Sequence, residues 1–393
     1  MITEPTRPES AGAEDTAARR ARMKLLAARM LCAAGVPAFA RWKNSGRLAI
    51  LMFHGVEGEP LSPACDYVHD AATLRRQLGY LRRHFHVLPL QEALERLHDG
   101  TLPRRAATLT FDDGTRNLAI HAAPVLRDLG LPAAVFLATG PMGTGEALWP
   151  DQLWIAFAHT AVTEIDLGPV GLGRYSLRNV TDRTEVRNTV VQHFKQLPDA
   201  ERIARVDWLV AELGADIDAR GGPFEMLSWD EARMLARDGL VSLYPHTVTH
   251  PILSRCTDNK VDHEISESCL VVERETGNEP TIFAYPNGGV QDFDMRAKGA
   301  LRRNGVRWAL STTHGFADAD SDPLALPRIG IGSNHSLALY RLKISGFELR
   351  RPRLRGAVAR RRIGAAVAGP VPSGQRFGVR GAESGMVDDV RGV

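Results

Sequence analysis

Short apolar runs alternate with amphipathic segments along most of the chain. The first run covers residues 47–53, and Leu74 and Leu78 then recur at the spacing of one helix face. Further apolar runs of strand length cover residues 108–111, 132–137, 240–244, 281–285, 307–310 and 326–329. Ser228 and Glu231 form a capping-box pattern that starts a helix between two of these runs. This alternation predicts an α/β fold with a parallel sheet and helices outside it.

Titratable side chains stand where the predicted strands end. His54 follows the first run, and Asp112 and Asp113 follow the second. His246 comes just after a later run, and Tyr285 closes the run after that. Because the carboxyl ends of parallel strands meet on one face of a barrel, where active sites are built, we expect these side chains to share a site.

Two motifs carry the chemistry expected at this face. Alone, Asp112-Asp113-Gly114 is explained by a turn or a helix N-cap. His246 and His250 lie one helical turn apart, which is a common spacing in a chain with 13 histidines. Together, one carboxylate and two imidazoles can hold a divalent metal ion with an open position. A second carboxylate beside them meets the requirements for hydrolysing an unactivated amide.

The chain resembles the polysaccharide deacetylase family, the group with the NodB homology domain (carbohydrate esterase family 4). The resemblance runs from about Ile50 to Ile331. Three segments match the family's motifs in order: TFDDG at 110–114, HTVTHP at 246–251 and FAYPNG at 283–288. The segment LMFHGV at residues 51–56 is similar to the start of a bacterial branch that deacetylates exopolysaccharides.

The resemblance implies a distorted (β/α)7 barrel with parallel strands and a role for each motif residue. Asp112 takes the position of the family's general base. Asp113, His246 and His250 take the positions that hold one divalent metal ion, with zinc first and cobalt, manganese or nickel as alternatives. The implied reaction removes acetyl from an N-acetylated amino sugar in a glycan or glycolipid. The alternatives are hydrolysis of another non-peptide C–N bond, as in a cyclic ureide or imide, and glycan binding without catalysis.

The third motif is predicted to bind the substrate. Its loop consists of Tyr285, Pro286, Asn287 and Gly288. We expect one of its backbone N–H groups to stabilise the oxyanion. The proton donor to the leaving amine is either His54 or Asp112 after it has accepted a proton.

Several positions depart from the family pattern. Ala284 stands where the third motif has an arginine, and Asn287 replaces its tyrosine. We predict that Arg328, on a late strand, replaces the missing arginine and orients the general base, the alternative being an ordinary rim residue. The fifth motif with its catalytic histidine is not recognisable, and His314 and His335 are interpreted as loop histidines.

The pattern divides the chain into three parts. Residues 1–46 are interpreted as an N-terminal tail and helix, and residues 47–345 as the barrel domain. A mainly helical insertion occupies about residues 141–226 and lies either over or beside the site. Residues 346–393 are rich in arginine and are predicted to be a disordered tail, with contact to anionic lipid or another polyanion as the alternative.

The composition of the chain restricts its possible binding partners and its location in the cell. The net charge of +3 gives no support for nucleic-acid binding. The four cysteines are far apart and are interpreted as reduced thiols, with two bridges as the alternative. The apolar run at residues 23–40 is either a secretion signal or a retained helix, and Arg29 within it favours the retained helix. We therefore expect a cytoplasmic or membrane-peripheral protein rather than a secreted one, with membrane contact through the basic terminal segments.

Overall fold

Seven parallel strands form a nearly closed barrel in the computed structural model, which describes residues 10–347 of the chain and side chains from residue 19 onward. In chain order, the strands are β1 (Ala49–Phe53), β2 (Val56–Glu57), β3 (His69–Asp70), β4 (His86–Val87), β5 (Ala106–Phe111), β6 (Ala133–Leu137), β7 (Glu164–Asp166), β8 (Arg174–Ser176), β9 (Val241–Pro245), β10 (Ile282–Ala284), β11 (Trp308–His314) and β12 (Leu326–Gly330). The barrel order is β10-β11-β12-β1-β5-β6-β9, and β4 pairs with β5 beside it.

Helices cover the outside of this sheet, precede it and form part of the segment between β6 and β9. They are α1 (Ser10–Ala33), α2 (Val36–Lys43), α3 (Ala71–His84), α4 (Leu90–His98), α5 (Ala123–Leu129), α6 (Trp149–His159), α7 (Val180–Phe194), α8 (Asp199–Leu213), α9 (Trp229–Ala236), α10 (Asp258–Thr276), α11 (Met295–Arg303) and α12 (Leu337–Ile344). The predicted capping box is present at α9, where Ser228 and Glu231 each bond the other's backbone N–H. The predicted parallel barrel is confirmed.

Alternate residues of each strand enter two different apolar clusters. Ile50 lies in the cluster inside the barrel, whereas Leu51 and Phe53 pack outward against the helices. The same alternation in β12 places Leu326 inside and Ile329 outside. Residues with even numbers in β1, β5 and β12 therefore point into the barrel, which sets the direction of the polar side chains described below.

The barrel has a seam between β9 and β10. Phe53 of β1 is level with Phe111 of β5, so the residues that follow these two strands emerge side by side. In the described residues, β9 pairs with β6 and β10 pairs with β11, and no ladder joins β9 to β10. The residues after β9 therefore meet the end of β10 through side chains rather than through strand pairing.

The segment between β6 and α9 has an apolar core of its own. It contains α6, α7, α8 and the antiparallel pair β7–β8. Trp149, Phe157 and Phe194 are among the buried side chains of this cluster. The mainly helical insertion of the predicted fold is therefore present, and α6 begins close to the candidate site.

Two helices precede the barrel. A bend of 70° separates the segments Arg19–Ala33 and Val36–Lys43. The helix α1 begins at Ser10, within the segment interpreted as an N-terminal tail and helix. Among the described residues, no single helix is long and apolar enough to cross a membrane, although this bent pair passes the length and composition test jointly. The predicted disorder of the C-terminal tail concerns residues from 348 onward, which lie outside the described residues.

Candidate active site

Three side chains from separate strand ends converge on one point. Asp113 follows β5, and His246 and His250 follow β9. The Nε2 atoms of His246 and His250 lie 3.6 Å and 3.2 Å from Oδ1 of Asp113. All three residues are buried, and their ligand atoms lie within 4.8 Å of one another. The two sequence motifs are therefore brought together into one cluster of metal-ligand type.

The backbone around this cluster is strained. Five non-glycine residues of the described chain have a positive φ, and four of them are Asp113, Thr247, His250 and Asn287 in the predicted motifs. A left-handed conformation costs a non-glycine residue on the order of 1–3 kcal/mol and persists only where neighbouring contacts enforce it. The strain is thus concentrated where the side chains must point in unusual directions.

The ring of His246 crosses the seam of the barrel. Its Nδ1 lies 2.6 Å from the carbonyl oxygen of Ala284 at the end of β10. Because a carbonyl only accepts, Nδ1 carries the proton and donates it. The unprotonated Nε2 then faces Asp113, and this tautomer suits a metal ligand. Ala284, at the position where the family motif has an arginine, orients the ring of His246 through its backbone.

Glu264 of α10 holds the turn between the two histidines. Its carboxylate accepts hydrogen bonds from the backbone N–H groups of Val248 (2.9 Å) and Thr249 (2.8 Å) and from Oγ1 of Thr249 (2.5 Å). The side chain is buried, and its nearest cation is Lys260 at 3.8 Å. Sequence analysis missed this residue, because nothing in a helix sequence shows which loop an acidic side chain reaches.

Asp112 pairs with a buried arginine. Nη1 and Nη2 of Arg328 each lie 2.7 Å from one carboxylate oxygen of Asp112. The guanidinium is also held by Nε donation to the carbonyl of Ser311 at 2.8 Å, and Arg328 is fully buried. Two parallel charge-assisted bonds fix the carboxylate plane. The contact predicted from the position of Arg328 in the barrel is present, and its effect on catalysis stays a prediction.

Burial and charge act in opposite directions on the two carboxylates. Burial raises the pKa of Asp112, but the Arg328 guanidinium and the nearby His246 lower it below its usual value. Burial also raises the pKa of Asp113, but the adjacent His246 and His250 rings lower it by more, to well below that range. Burial lowers the pKa of His250, which favours its neutral form.

His54 stands at the edge of the same cluster. It follows β1, is half-buried, and its ring lies 5.7 Å from the Tyr67 ring in an edge-on arrangement. A positive charge on its ring would lower the pKa values of Asp112, Asp113 and His250. The predicted place of His54 within reach of the two aspartates and its catalytic role both stay predictions.

Asp151 forms a second acidic position that sequence analysis missed. It lies in the first turn of α6, is buried, and accepts a hydrogen bond from the Tyr67 hydroxyl at 2.6 Å. Burial, together with the nearby charge of Asp113, raises the pKa of Asp151 to about 8. The insertion therefore contributes a protonated carboxyl group close to the cluster at neutral pH.

The third motif differs from its prediction. The side chain of Tyr285 is fully buried on the outer side of the barrel, where it stacks on Phe293 at 3.9 Å and donates its hydroxyl proton to the carbonyl of Leu324. This corrects the expectation that the Tyr285 side chain contacts the substrate. The physical reason is strand alternation, since Ala284 faces the barrel interior and the next residue must face the opposite way.

The backbone of the same loop has one N–H group without a partner among the described residues. The Tyr285 N–H donates to Leu310, Pro286 has no N–H, and the Gly288 N–H donates to the carbonyl of Pro286. Asn287 is left with its backbone N–H and with a buried side-chain Nδ2 that has no hydrogen-bond partner in the described residues. A side chain at Gly288 would meet the backbone of Thr312 at 2.9 Å, so glycine is required there.

The two C-terminal histidines lie in different surroundings. His314 is exposed at the end of β11, so it belongs to a strand rather than to the expected loop. His335 lies in the turn before α12, where its Nδ1 accepts the Gly332 N–H at 3.0 Å. Burial lowers the pKa of His335 to about 4.

Similarity to solved structures extends over most of the chain. The deacetylase PplD of Streptococcus pyogenes, in complex with acetate, has 17% sequence identity and a TM-score of 0.50, covering 76% of this chain and 99% of its own. IcaB from Ammonifex degensii has 17% identity and a TM-score of 0.49, covering 76% of this chain and 97% of its own. No curated protein sequence matches the chain significantly. At this identity, the likeness to PplD shows the fold.

The family follows from the sequence itself. The family described as polysaccharide deacetylase matches residues 99–309, which is more than half of the chain. The matched segment includes Asp112, Asp113, His246 and His250. The chain belongs to the polysaccharide deacetylase family, a family of hydrolases that act on non-peptide carbon–nitrogen bonds of acetylated sugars.

Proposed function

We propose that this protein is a metal-dependent N-deacetylase that releases acetate from an N-acetylated amino sugar in a glycan or glycolipid. The proposal rests on one observation: a cluster of metal-ligand type lies next to an ionised carboxylate. The cluster of Asp113, His246 and His250 lies directly beside Asp112, which a buried arginine holds in a fixed plane. Hydrolysis of an acetamide needs both an electrophilic centre and an ionised base.

The cluster fits a divalent cation such as zinc. Ligand atoms about 2.0–2.2 Å from a tetrahedral ion lie roughly 3.3–3.6 Å apart. The observed separations from Asp113 Oδ1 are 3.2 Å and 3.6 Å, and that oxygen has no hydrogen-bond partner in the described residues. A divalent cation bound there supplies a Lewis acid that polarises a carbonyl and lowers the pKa of a nearby water molecule.

Asp112 acts as the general base. It accepts a proton from water as the water oxygen attacks the acetamide carbonyl carbon. Arg328 keeps the carboxylate ionised and fixes its plane through two 2.7 Å contacts. Each carboxylate oxygen has two acceptor sites, so the pairing with Arg328 leaves one site on each oxygen for the proton. Without that cation, burial would raise the pKa of the base and favour its neutral form.

Asn287 is the donor proposed for the oxyanion. Its backbone N–H is the one in residues 285–288 that remains without a partner among the described residues, and its Nδ2 is buried and unpaired as well. Donors of this kind stabilise the negative charge that develops on the carbonyl oxygen. The positive φ of 58° at Asn287 holds this peptide group in a conformation that needs outside support.

The amine leaves when the C–N bond breaks and its nitrogen gains a proton. His54 and the newly protonated Asp112 are the donors expected from the sequence. Asp151 is a third candidate, because its burial raises the pKa of the carboxyl and favours the protonated form. Tyr67 connects His54 and Asp151. Its ring packs against the His54 ring, and its hydroxyl donates a hydrogen bond to Asp151.

The proposal is tested by acetate release from N-acetylglucosamine oligomers, with a cyclic ureide assayed in parallel. We expect acetate release that stops with a chelator and returns when zinc is added. The Asp112→Asn variant serves as the inactive control. Hydrolysis of the ureide instead, or oligomer binding without acetate release by the zinc-loaded protein, would overturn the proposal.

A further inference from the structure

The outer face of the two N-terminal helices is apolar and has no partner among the described residues. Met23, Leu26 and Met30 form a stripe along α1 and have exposed fractions of 63%, 57% and 58%. Phe39 and Trp42 are exposed on α2, by 66% and 63%. Their spacing by three and four residues places each set on one side of its helix.

The opposite side of each helix is already packed. Ala28 of α1 and Pro37 and Ala40 of α2 are buried. Cys32 Sγ donates to the carbonyl of Ala338 in α12, and the side-chain amide of Asn44 donates to the carbonyl of Ser345. The two helices are therefore attached to the barrel by their inner sides, and the outer stripe is left facing solvent.

The clustering of large apolar side chains in this segment is unusual for the molecule. Thirteen large hydrophobic side chains are exposed in the described chain, and five of them lie between residues 19 and 43. The rings of Phe39 and Trp42 lie 5.8 Å apart, so they form a single aromatic patch. Contiguous exposed patches of this kind mark interaction surfaces, whereas isolated exposed residues need no explanation.

The charge of the segment identifies the partner. Residues 19–43 carry seven cationic side chains and no acidic one: Arg19, Arg20, Arg22, Lys24, Arg29, Arg41 and Lys43. The chain as a whole has a net charge of only +3, so this segment is far more basic than the rest. A second copy of the same surface would be repelled by this charge, whereas an anionic lipid surface would attract it.

We propose that α1 and α2 dock this protein onto an anionic lipid bilayer, with the exposed apolar side chains of the two helices in the interface and their exposed Arg and Lys side chains at the lipid phosphates. Apolar side chains combined with basic residues are the features that place a helix in the plane of a membrane. Trp42 is suited to this depth because its ring is amphipathic.

The test is sedimentation of the full chain with vesicles. Vesicles of phosphatidylcholine with about 30% phosphatidylglycerol should bind the protein, and pure phosphatidylcholine should bind it at least about tenfold more weakly. Raising the salt concentration should release it. The double variant Phe39→Ser, Trp42→Ser should lose binding by about tenfold or more and keep acetate release from a soluble substrate.

A matched control uses two exposed apolar residues elsewhere, Met234 and Leu270, which are exposed by 65% and 58%. The variant Met234→Ser, Leu270→Ser should bind the vesicles as the wild type does. Equal binding to both vesicle types, or equal losses in the two double variants, would overturn the proposal. A concentration-dependent dimer that the Phe39→Ser, Trp42→Ser variant abolishes would assign the face to a second copy instead. Cleavage of the segment in protein from its native cells would assign it to a signal.

Discussion

Asp112 and Asp113 are adjacent in sequence and both are buried, but they meet opposite surroundings. Asp112 faces a permanent cation, Arg328, through two hydrogen bonds. Asp113 faces two imidazoles, and its Oδ1 has no hydrogen-bond partner in the described residues. The first carboxylate is complete without any added ion, whereas the second is one member of an unsaturated ligand set. Similar burial therefore supports two different functions, and the partner of each carboxylate decides which.

The largest expected effect is on turnover in Asp112→Asn. An amide cannot accept the proton from water, so acetate release should fall by roughly two to four orders of magnitude. The fold should be retained, because an amide fills the same space. The measurement is acetate release under single-turnover conditions. Turnover within threefold of the wild type would place the base elsewhere.

Arg328 tests how Asp112 is held. Arg328→Lys keeps the charge but loses the planar fork, so turnover should fall by about tenfold to a hundredfold with metal affinity nearly unchanged. Arg328→Met leaves a buried carboxylate unpaired and should cost about 3–5 kcal/mol in the free energy of unfolding. The matched control is Arg296→Lys, at a partly exposed ion pair with Asp294. Unchanged turnover in Arg328→Lys would dispose of the orienting role.

A substitution at Glu264 tests how the two histidines that face Asp113 are held in place. In Glu264→Gln the amide can no longer accept all three hydrogen bonds from the turn between the histidines, so metal affinity should fall by roughly tenfold to a hundredfold. Activity should recover when excess metal is added, which a merely unfolded protein would not show. Glu273→Gln, on an exposed part of α10, is the control. Metal affinity equal to that of the control would show that the turn is held by other contacts.

Asp151 gives a smaller effect that depends on pH. Its folded-state pKa of about 8 is raised above the usual value, so the stability it contributes is fully present below the unfolded-state pKa and is lost as the pH rises through about 8. Asp151→Asn should remove this loss and be more stable than the wild type at pH 9, by on the order of 3 kcal/mol without metal.

Thermal unfolding between pH 5 and pH 9 measures the Asp151 effect. Metal should reduce the difference, since a cation beside Asp113 offsets the charge that contributes to the shift. Asp207→Asn, at an exposed position of α8, is the control. A pH dependence of stability that is the same in Asp151→Asn and the wild type would contradict the raised pKa.

The barrel was predictable because its strands are long, apolar and bounded by polar residues. Each of the seven predicted runs overlaps one barrel strand, with differences of up to four residues at the ends. The two-residue strands β2, β3 and β4 were not predicted, since so short a segment has no periodicity of its own. The inward direction of Arg328 follows from its position two residues after Leu326 in the same strand.

The parts of the site that sequence analysis missed come from contacts across the fold. Glu264 and Asp151 lie on helices whose sequences do not reveal which loop or cavity they face. The orientation of Tyr285 was within reach, because alternation along β10 opposes it to Ala284. For this side chain the motif resemblance and the strand period predict opposite faces, and the strand period is correct.

The division of roles between the two carboxylates is tested most directly by metal content. Asp112→Asn and Asp113→Asn are purified in parallel with the wild type, loaded with zinc, dialysed and analysed for bound metal. We predict about one zinc ion per chain in the wild type and in Asp112→Asn, and most of it lost from Asp113→Asn, because only Asp113 lies within ligand distance of the two imidazoles. Equal zinc retention in the two variants, or loss from Asp112→Asn alone, would contradict the account.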